Sequence, residues 1–481
     1  MTGVIEGFYG RPWAQDQRLE LCTRMASWGM NAYMYAPKDD RKHRHAWREL
    51  YDAAECARLQ ALSAACAEGS MSVVYAISPG LDMTMSDPAE HKHLHDKLAQ
   101  VAALGITKFA LLFDDIPECL SEADAAVFSS QAEAQCAVAN AAALFLMKLL
   151  DFADGAPPQR FNAPDGRFFF CPTEYCGAFA SPSVSESPYL ACVGDQLLPE
   201  FGVFWTGPDI ISRDITVEHV QGVAAVLMRP PTIWDNLHAN DYDNGRRMFL
   251  GPYSGRPVEL AHHVQGILSN PNCEYEANFV PLRTLSTYAD AARGGTEYFP
   301  RAAFLAACEE WLPRFQAVPT GCSPPTLEHV ITLGDALYLP FQHGDAAAAF
   351  FSAARGVLVP PEAWDALPAA EQTARSEAFQ ASVAPIMALG TAFVDLDHRE
   401  LMYTMYRFVW DIKEQAELLV AFVEWLRSPQ HAGGTFVAPS DGFKSKFHAP
   451  GAIRGGFVQH CMDFLSFDAQ GVFRLAPVTL E

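Results

Sequence analysis

Between Val4 and Ala292 the chain alternates short apolar runs with longer amphipathic ones, and nothing else in it limits the fold as strongly. The runs that read as strands are Val4–Glu6, Ala32–Ala36, Val73–Ile77, Phe109–Asp115, Phe168–Cys171, Val203–Trp205, Thr232–Trp234 and Cys273–Ala277. Helical spacing covers Asp16–Trp28, Ala53–Glu68, His91–Leu104, an Ala-rich Asp124–Leu150, Val217–Met228, Glu259–Leu268 and Pro281–Ala292. This is about eight strand–helix units, the number and size of a (β/α)8 TIM barrel. A doubly wound open sheet is the alternative. It lacks support after the first strand, where Gly7-Phe8-Tyr9-Gly10 is not the Gly-rich phosphate turn such sheets use.

From about Tyr298 the pattern turns helical, over Arg301–Trp311, Thr326–Phe341, Glu371–Leu389 and Glu400–Leu426. The expected organisation is a catalytic barrel over 1–293, an all-α helical bundle domain over 294–427 and a tail over 428–481 that packs on the bundle. Asp151–Gly166, rich in Pro, Gly and Asp, reads as a surface insertion. The last long helix carries Met402, Tyr403, Met405, Tyr406, Phe408 and Trp410, which suits bundle core, or a subunit interface where it stays exposed.

The stretch Lys108-Phe109-Ala110-Leu111-Leu112-Phe113-Asp114-Asp115 is apolar enough for a strand buried on both faces, and it ends in two carboxylates. Two acids at the end of a buried strand are costly unless their charge is used, although Asp can also cap a following helix. In a parallel barrel that end is where active sites are built. A magnesium strand of a P-loop ATPase would need G-x-x-x-x-G-K-[ST], and no Gly-Lys pair occurs in the chain.

A net charge of −23 argues against a nucleic-acid backbone or an anionic membrane as partner. The longest uncharged apolar stretch, Cys136–Met147, is too short to cross a bilayer. The opening residues have neither the basic nor the apolar region of a secretory signal, and the twelve cysteines include no C-x-x-C pair. A soluble cytoplasmic protein with reduced thiols is expected.

In a barrel, the loops after the strands share one mouth. They hold Gly7-Phe8-Tyr9, Lys38-Asp39-Asp40, Asp114-Asp115, Tyr175, Asp235-Asn236, Asn240-Asp241-Tyr242 and Asn270. Carboxylates and amides bind hydroxyls, and Tyr9, Trp234 and Tyr242 can stack on sugar rings. Asp241-x-Asp243-x-Gly245 resembles a calcium loop, but Pro252 stands where the bidentate Glu belongs. His43 and His45 in a charged loop, and His91, His93 and His95 on a polar helix start, read as solvated surface, so no metal is expected.

These residues carry a resemblance. Gly3-Val4-Ile5-Glu6-Gly7-Phe8-Tyr9-Gly10-Arg11-Pro12-Trp13, Tyr35-Ala36-Pro37-Lys38-Asp39-Asp40, Tyr75-Ala76-Ile77-Ser78-Pro79-Gly80 and Leu112-Phe113-Asp114-Asp115 resemble glycoside hydrolase family 84. So do Cys171-Pro172-Thr173-Glu174-Tyr175-Cys176-Gly177, Trp234-Asp235-Asn236 with Asn240-Asp241-Tyr242, and Asn270-Pro271-Asn272-Cys273-Glu274. The similarity runs in order through the whole expected barrel. It continues more loosely through Leu337-Tyr338-Leu339-Pro340 and Val409-Trp410-Asp411-Ile412-Lys413. Members of this family are β-N-acetylglucosaminidases, including O-GlcNAcases that act on Ser and Thr of proteins.

The resemblance implies a retaining, substrate-assisted hydrolysis without cofactor or metal. Asp114 would polarise the 2-acetamido group, whose oxygen attacks the anomeric carbon to give an oxazoline. Asp115 would be the general acid and then the base, so the two neighbours must differ in proton affinity. Tyr175 and Asn236 would hold the acetamido group, and Asp241 would accept from the sugar's 4- and 6-hydroxyls. Gly7, Lys38 and Asn270 would bind remaining hydroxyls, and Cys171 and Trp234 would line the N-acetyl pocket. The partner implied is a glycoprotein or other glycan carrying β-GlcNAc, chitin, peptidoglycan and hyaluronan fragments included. A homodimer through the helical domain is a further inference from the resemblance. The other readings left open are a barrel that binds N-acetylglucosamine without turnover and a magnesium-dependent lyase using Asp114, Asp115 and Asp235.

Overall fold

The computed structural model describes residues 1–117, 119–150, 166–243, 245–318, 323–429, 436, 456–467 and 473–476. The insertion expected at Asp151–Gly166, apart from Gly166, and most of the tail after Ser428 lie outside the described residues.

Eight strands pair in parallel and in chain order: β1 (Thr2–Glu6), β2 (Ala32–Tyr35), β3 (Ser72–Ile77), β4 (Lys108–Leu112), β5 (Phe168–Cys171), β6 (Phe201–Trp205), β7 (Thr232–Asp235) and β8 (Gly266–Ser269). The ring closes where Gly3 pairs with Leu268 of β8 and with Ala32 of β2. The fold is the (β/α)8 barrel read from the alternation. Its interior is a packed core. Small Ala32, Ala76 and Ala110 share one buried cluster with large Phe169, Phe204 and Trp234. The register Glu6 with Tyr35, Ile77 with Leu111, Leu112 with Cys171 and Asp235 with Ser269 brings the carboxyl ends to one rim.

Several elements of the barrel differ from the sequence reading, and the helix Pro188–Gln196 was not read at all. The last strand is Gly266–Ser269, taken above as the end of a helix, while Cys273–Ala277 leads into a short 3-10 turn at Tyr275–Asn278. Gly266-Ile267-Leu268 is apolar on both sides, a pattern that a short run shares between strand and helix. The Ala-rich segment is two helices, Glu122–Ala125 and Gln131–Leu149, because the Ser130 hydroxyl accepts from the Glu133 N–H and starts the second one. Finally, β4 ends at Leu112, so Asp114 and Asp115 stand in the loop beyond it.

The chain divides into two compact units. The first holds 1–241, 253–275 and 285–299, and the second holds 242–252, 276–284 and 300–481. In the second unit the helices Pro300–Trp311, Leu327–Ala336, Asp345–Val357, Ala369–Ala392 and Arg399–Leu426 form most of the structure. Phe350 lies against Phe379 and Phe457, and Asp335 is buried against Arg301. Helix Asp345–Val357 has no counterpart in the sequence reading. Among the described residues no helix is long and apolar enough to cross a membrane.

One buried pair anchors the rim of the barrel. The Arg256 guanidinium donates to both oxygens of Asp235, at 2.7 and 2.8 Å, and to the carbonyls of Ser212 and Arg213. Tyr253 Oη donates to the same carboxylate at 2.8 Å. Removing one member of such a pair strands the other charge. Arg256→Met should therefore cost about 3–5 kcal/mol, read as a lower urea midpoint of the barrel transition. Adding Asp235→Asn should recover part of the loss.

Candidate active site

Three fastenings fix where β4 ends. Ser78 Oγ donates to the Leu112 carbonyl at 3.2 Å, the Phe113 N–H donates to the Cys171 carbonyl, and Thr173 Oγ1 donates to the Phe113 carbonyl at 2.9 Å. The next two residues are the paired acids. Asp115 has φ of +51°, a left-handed conformation that costs a non-glycine residue free energy. The two acids therefore follow the strand in a turn, and β4 ends before them.

Asp114 is 6% exposed, and one of its oxygens accepts from the ammonium of Lys38, which is 2% exposed. Burial works against ionising Asp114, but the Lys38 charge and hydrogen bond, with Arg44 beyond, outweigh it and hold the carboxyl below its ordinary range. Burial likewise opposes charging Lys38, and Asp114 overcomes it and raises the amine. The second oxygen, Oδ1, is buried and has no hydrogen-bond partner among the described residues. An ionised oxygen left so is a site for a donor from outside the protein.

Asp115 sits between two phenols. Tyr9 Oη donates to Oδ2 at 3.0 Å and Tyr175 Oη donates to Oδ1 at 3.1 Å. Burial, partly offset by Lys38, raises the Tyr9 phenol and keeps it a donor. Arg44 donates from one nitrogen to Tyr9 Oη and from another to the Asp115 carbonyl at 2.9 Å. Tyr9, read from the sequence as a stacking ring, thus touches one of the acids, and Arg44 was not singled out at all. Its signal was its position, six residues after Lys38 in the loop that follows β2.

The β1 loop is held from below and from the side. Glu6 is fully buried, takes both nitrogens of Arg18 at 2.7 and 2.8 Å, and accepts from the Trp13 N–H at 3.0 Å, closing the Gly7–Trp13 loop. Asp241 accepts from the Tyr9 N–H at 2.9 Å, so it positions Tyr9. Gly7 lies against Trp234: a Cβ there would be 2.6 Å from the indole, and only glycine lets the ring stand where it does. Trp234 Nε1 and Asn270 Nδ2 both donate to Asn236 Oδ1, at 3.1 and 2.9 Å, while Asn236 Nδ2 donates to the Ile210 carbonyl. The hydrogen bonds of Asn236 therefore orient Trp234 and Asn270. Cys171 is buried beside Asp114, and burial keeps its thiol well above the ordinary range. Asn270 Oδ1 is buried without a partner among the described residues. Tyr242 belongs to the second unit and is 42% exposed.

Two expectations about other groups change. His43 is fully buried, not solvated: its Nδ1 lies 2.7 Å from the Ala76 carbonyl, and burial with the nearby Lys38 charge pushes it down to about 4. Asp235 cannot serve as a third metal carboxylate beside the acidic pair while Arg256 and Tyr253 occupy it. Among the described residues no group of three His, Cys, Asp or Glu is placed to hold a metal ion.

The low proton affinity of Asp114 follows from Lys38 and makes stability depend on pH. The folded-state value lies below the unfolded one, so ionised Asp114 adds stability above pH about 3.9, lost as pH falls through the folded value. In Lys38→Met burial is no longer offset by the ammonium, and the Asp114 carboxyl should titrate above about 3.9. Carboxyl-carbon NMR of labelled Asp would show this, and an unmoved Asp114 resonance would contradict it.

A family model described as beta-N-acetylglucosaminidase matches residues 2–317. Over 295 residues the chain is 49% identical to Protein O-GlcNAcase of Rattus norvegicus and to that of Mus musculus. Each alignment covers 61% of this chain and 30% of the relative, so the chain spans less than a third of the length of these curated relatives. A solved structure of a Thermobaculum terrenum O-GlcNAc hydrolase mutant superposes with a TM-score of 0.73 at 25% identity, covering 88% of this chain and 83% of that one. The family model alone takes in more than half of the residues, and the chain belongs to the beta-N-acetylglucosaminidases of glycoside hydrolase family 84 that its rim motifs resemble.

Proposed function

We propose that the chain is a retaining β-N-acetylglucosaminidase that removes terminal β-linked N-acetylglucosamine from Ser and Thr of proteins through an oxazoline intermediate. The observation that carries this is the pair itself: an ionised, buried Asp114 with one unpartnered oxygen, next to an Asp115 held between two hydroxyl donors. Asp114 Oδ1 accepts the acetamido N–H, so the acetamido oxygen gains electron density and attacks the anomeric carbon. Asp115 gives its proton to the departing glycosidic oxygen. The carboxylate then takes a proton from water, whose oxygen opens the oxazoline and restores the β configuration. Cys171 and Trp234 line the acetamido pocket, and Asn270 Oδ1 accepts a sugar hydroxyl. The O-GlcNAcase names of the relatives support a protein-linked substrate. Free thiols at every described cysteine support a cytoplasmic setting. Exposed Tyr403 and Tyr406 on the helix Arg399–Leu426 support a homodimer through the helical part.

Leaving-group chemistry tests the roles. Asp115→Asn should slow hydrolysis of alkyl or seryl N-acetylglucosaminides by roughly 10²–10⁴-fold and of nitrophenyl ones by far less. Equal losses would count against Asp115 as the acid. Asp114→Asn should slow both substrates by roughly 10²–10³-fold and weaken oxazoline-like inhibitors, since the group that stabilises the developing charge is gone. An aryl glucoside, lacking the acetamido group, should not be hydrolysed. Its turnover at a comparable rate would end the substrate-assisted account.

A further inference from the structure

We propose that Arg44 is a positioning residue for proton transfer, gripping the Asp115 main chain with one nitrogen and aiming the Tyr9 hydroxyl at the Asp115 carboxylate with another. This rests on the reading of Asp115 as the acid and base. Arg44 is 4% exposed, and its two acceptors are Tyr9 Oη and the Asp115 carbonyl, the latter at 2.9 Å. Its guanidinium carbon lies 5.4 Å from the centre of the Tyr9 ring.

The chemistry follows from what each group can do. A phenol both donates and accepts, whereas a guanidinium only donates. With Arg44 donating to the Tyr9 oxygen, the Tyr9 proton is directed to its other neighbour, Asp115 Oδ2, 3.0 Å away. Without Arg44 that hydroxyl can turn. The second nitrogen holds the carbonyl of a residue in a left-handed turn, where a non-glycine backbone otherwise tends to relax. The rigid fork of an arginine reaches two acceptors at a set spacing, which a lysine does not.

The placement also explains a difference between neighbours. Lys38 pairs directly with the Asp114 carboxylate, which keeps that group ionised. Arg44 is spent on a phenol and a carbonyl, and among the described contacts no cation pairs with the Asp115 carboxylate. Asp115 is thereby oriented by a cation without being locked in a salt bridge to it.

The test uses the whole chain, with wild type, Arg44→Met, Arg44→Lys, Tyr9→Phe and the Arg44→Met/Tyr9→Phe double variant. Arg44→Met should lose about tenfold or more on a seryl N-acetylglucosaminide beyond any loss on the nitrophenyl substrate, with the basic limb of its kcat/KM profile displaced. Tyr9→Phe should show the same selectivity, and the double variant should be no worse than the worse single one. Affinity for an oxazoline-like inhibitor should stay close to wild type, and Arg44→Lys should recover only part of the loss. Equal losses on both substrates, additive losses, or a parallel fall in inhibitor affinity would reduce Arg44 to a structural residue. Carboxyl-carbon NMR separates this from the broader reading. The Asp115 carboxyl-carbon resonance should shift in Arg44→Met and in Tyr9→Phe, because the Tyr9 hydroxyl is no longer held on Oδ2. An unmoved resonance overturns the proposal even without turnover, whereas a wild-type chain inert toward both substrates overturns the proposed function instead.

Discussion

The buried ion pair between Lys38 and Asp114 is the interaction on which the site depends. Both groups are almost fully withdrawn from water, and such pairs rarely repay their desolvation in full. Here the compensation is incomplete, since one Asp114 oxygen has no donor among the described residues. A protein selected only for stability would fill that position with a hydroxyl or an amide. The vacancy makes sense if a ligand N–H completes it, and the lysine then keeps the carboxylate charged until that donor arrives.

Next to it, Asp115 depends on a different balance. Its left-handed backbone costs on the order of 1–3 kcal/mol and persists only because the surroundings over-determine it. The pinned carbonyls of Leu112 and Phe113 fix the chain before the turn, and Arg44 fixes the carbonyl after it. The barrel supplies the rigidity beneath. Its closed ring brings the loops that carry Lys38, Tyr9 and Tyr175 to the same rim as the β4 end.

Much of this was legible in the residues. Seven of the strand positions followed from short apolar runs, and the acidic pair stood out because carboxylates rarely end a buried strand without a use. What escaped was whatever depends on partners distant in sequence. Arg256 and Asp235 are twenty-one residues apart and belong to no shared motif, yet each is buried only because of the other. His43 sits in a run of charged residues that looks solvated, and only the fold shows it against the Ala76 carbonyl. The strand Gly266–Ser269 was hidden because a four-residue apolar run has no period of its own. Tyr9 was read by its ring, while its role lies in its hydroxyl.

Adjacent acids ordinarily share an environment, and each makes the other harder to ionise. This chain divides the environment at a single peptide bond. On one side a strand end and a buried lysine favour the ionised carboxylate, and on the other a reversed turn carries a carboxylate that accepts from two phenols and, among the described residues, pairs with no cation. Neighbouring positions thus hold a carboxylate paired with an ammonium and a carboxylate that accepts from phenols. In a continued strand the two side chains would point to opposite faces of the barrel wall, whereas the chain turns at Asp115, whose carboxylate meets Tyr9 and Tyr175 at the rim. The left-handed backbone, which looks like a local defect, thus stands where adjacent carboxylates meet different partners.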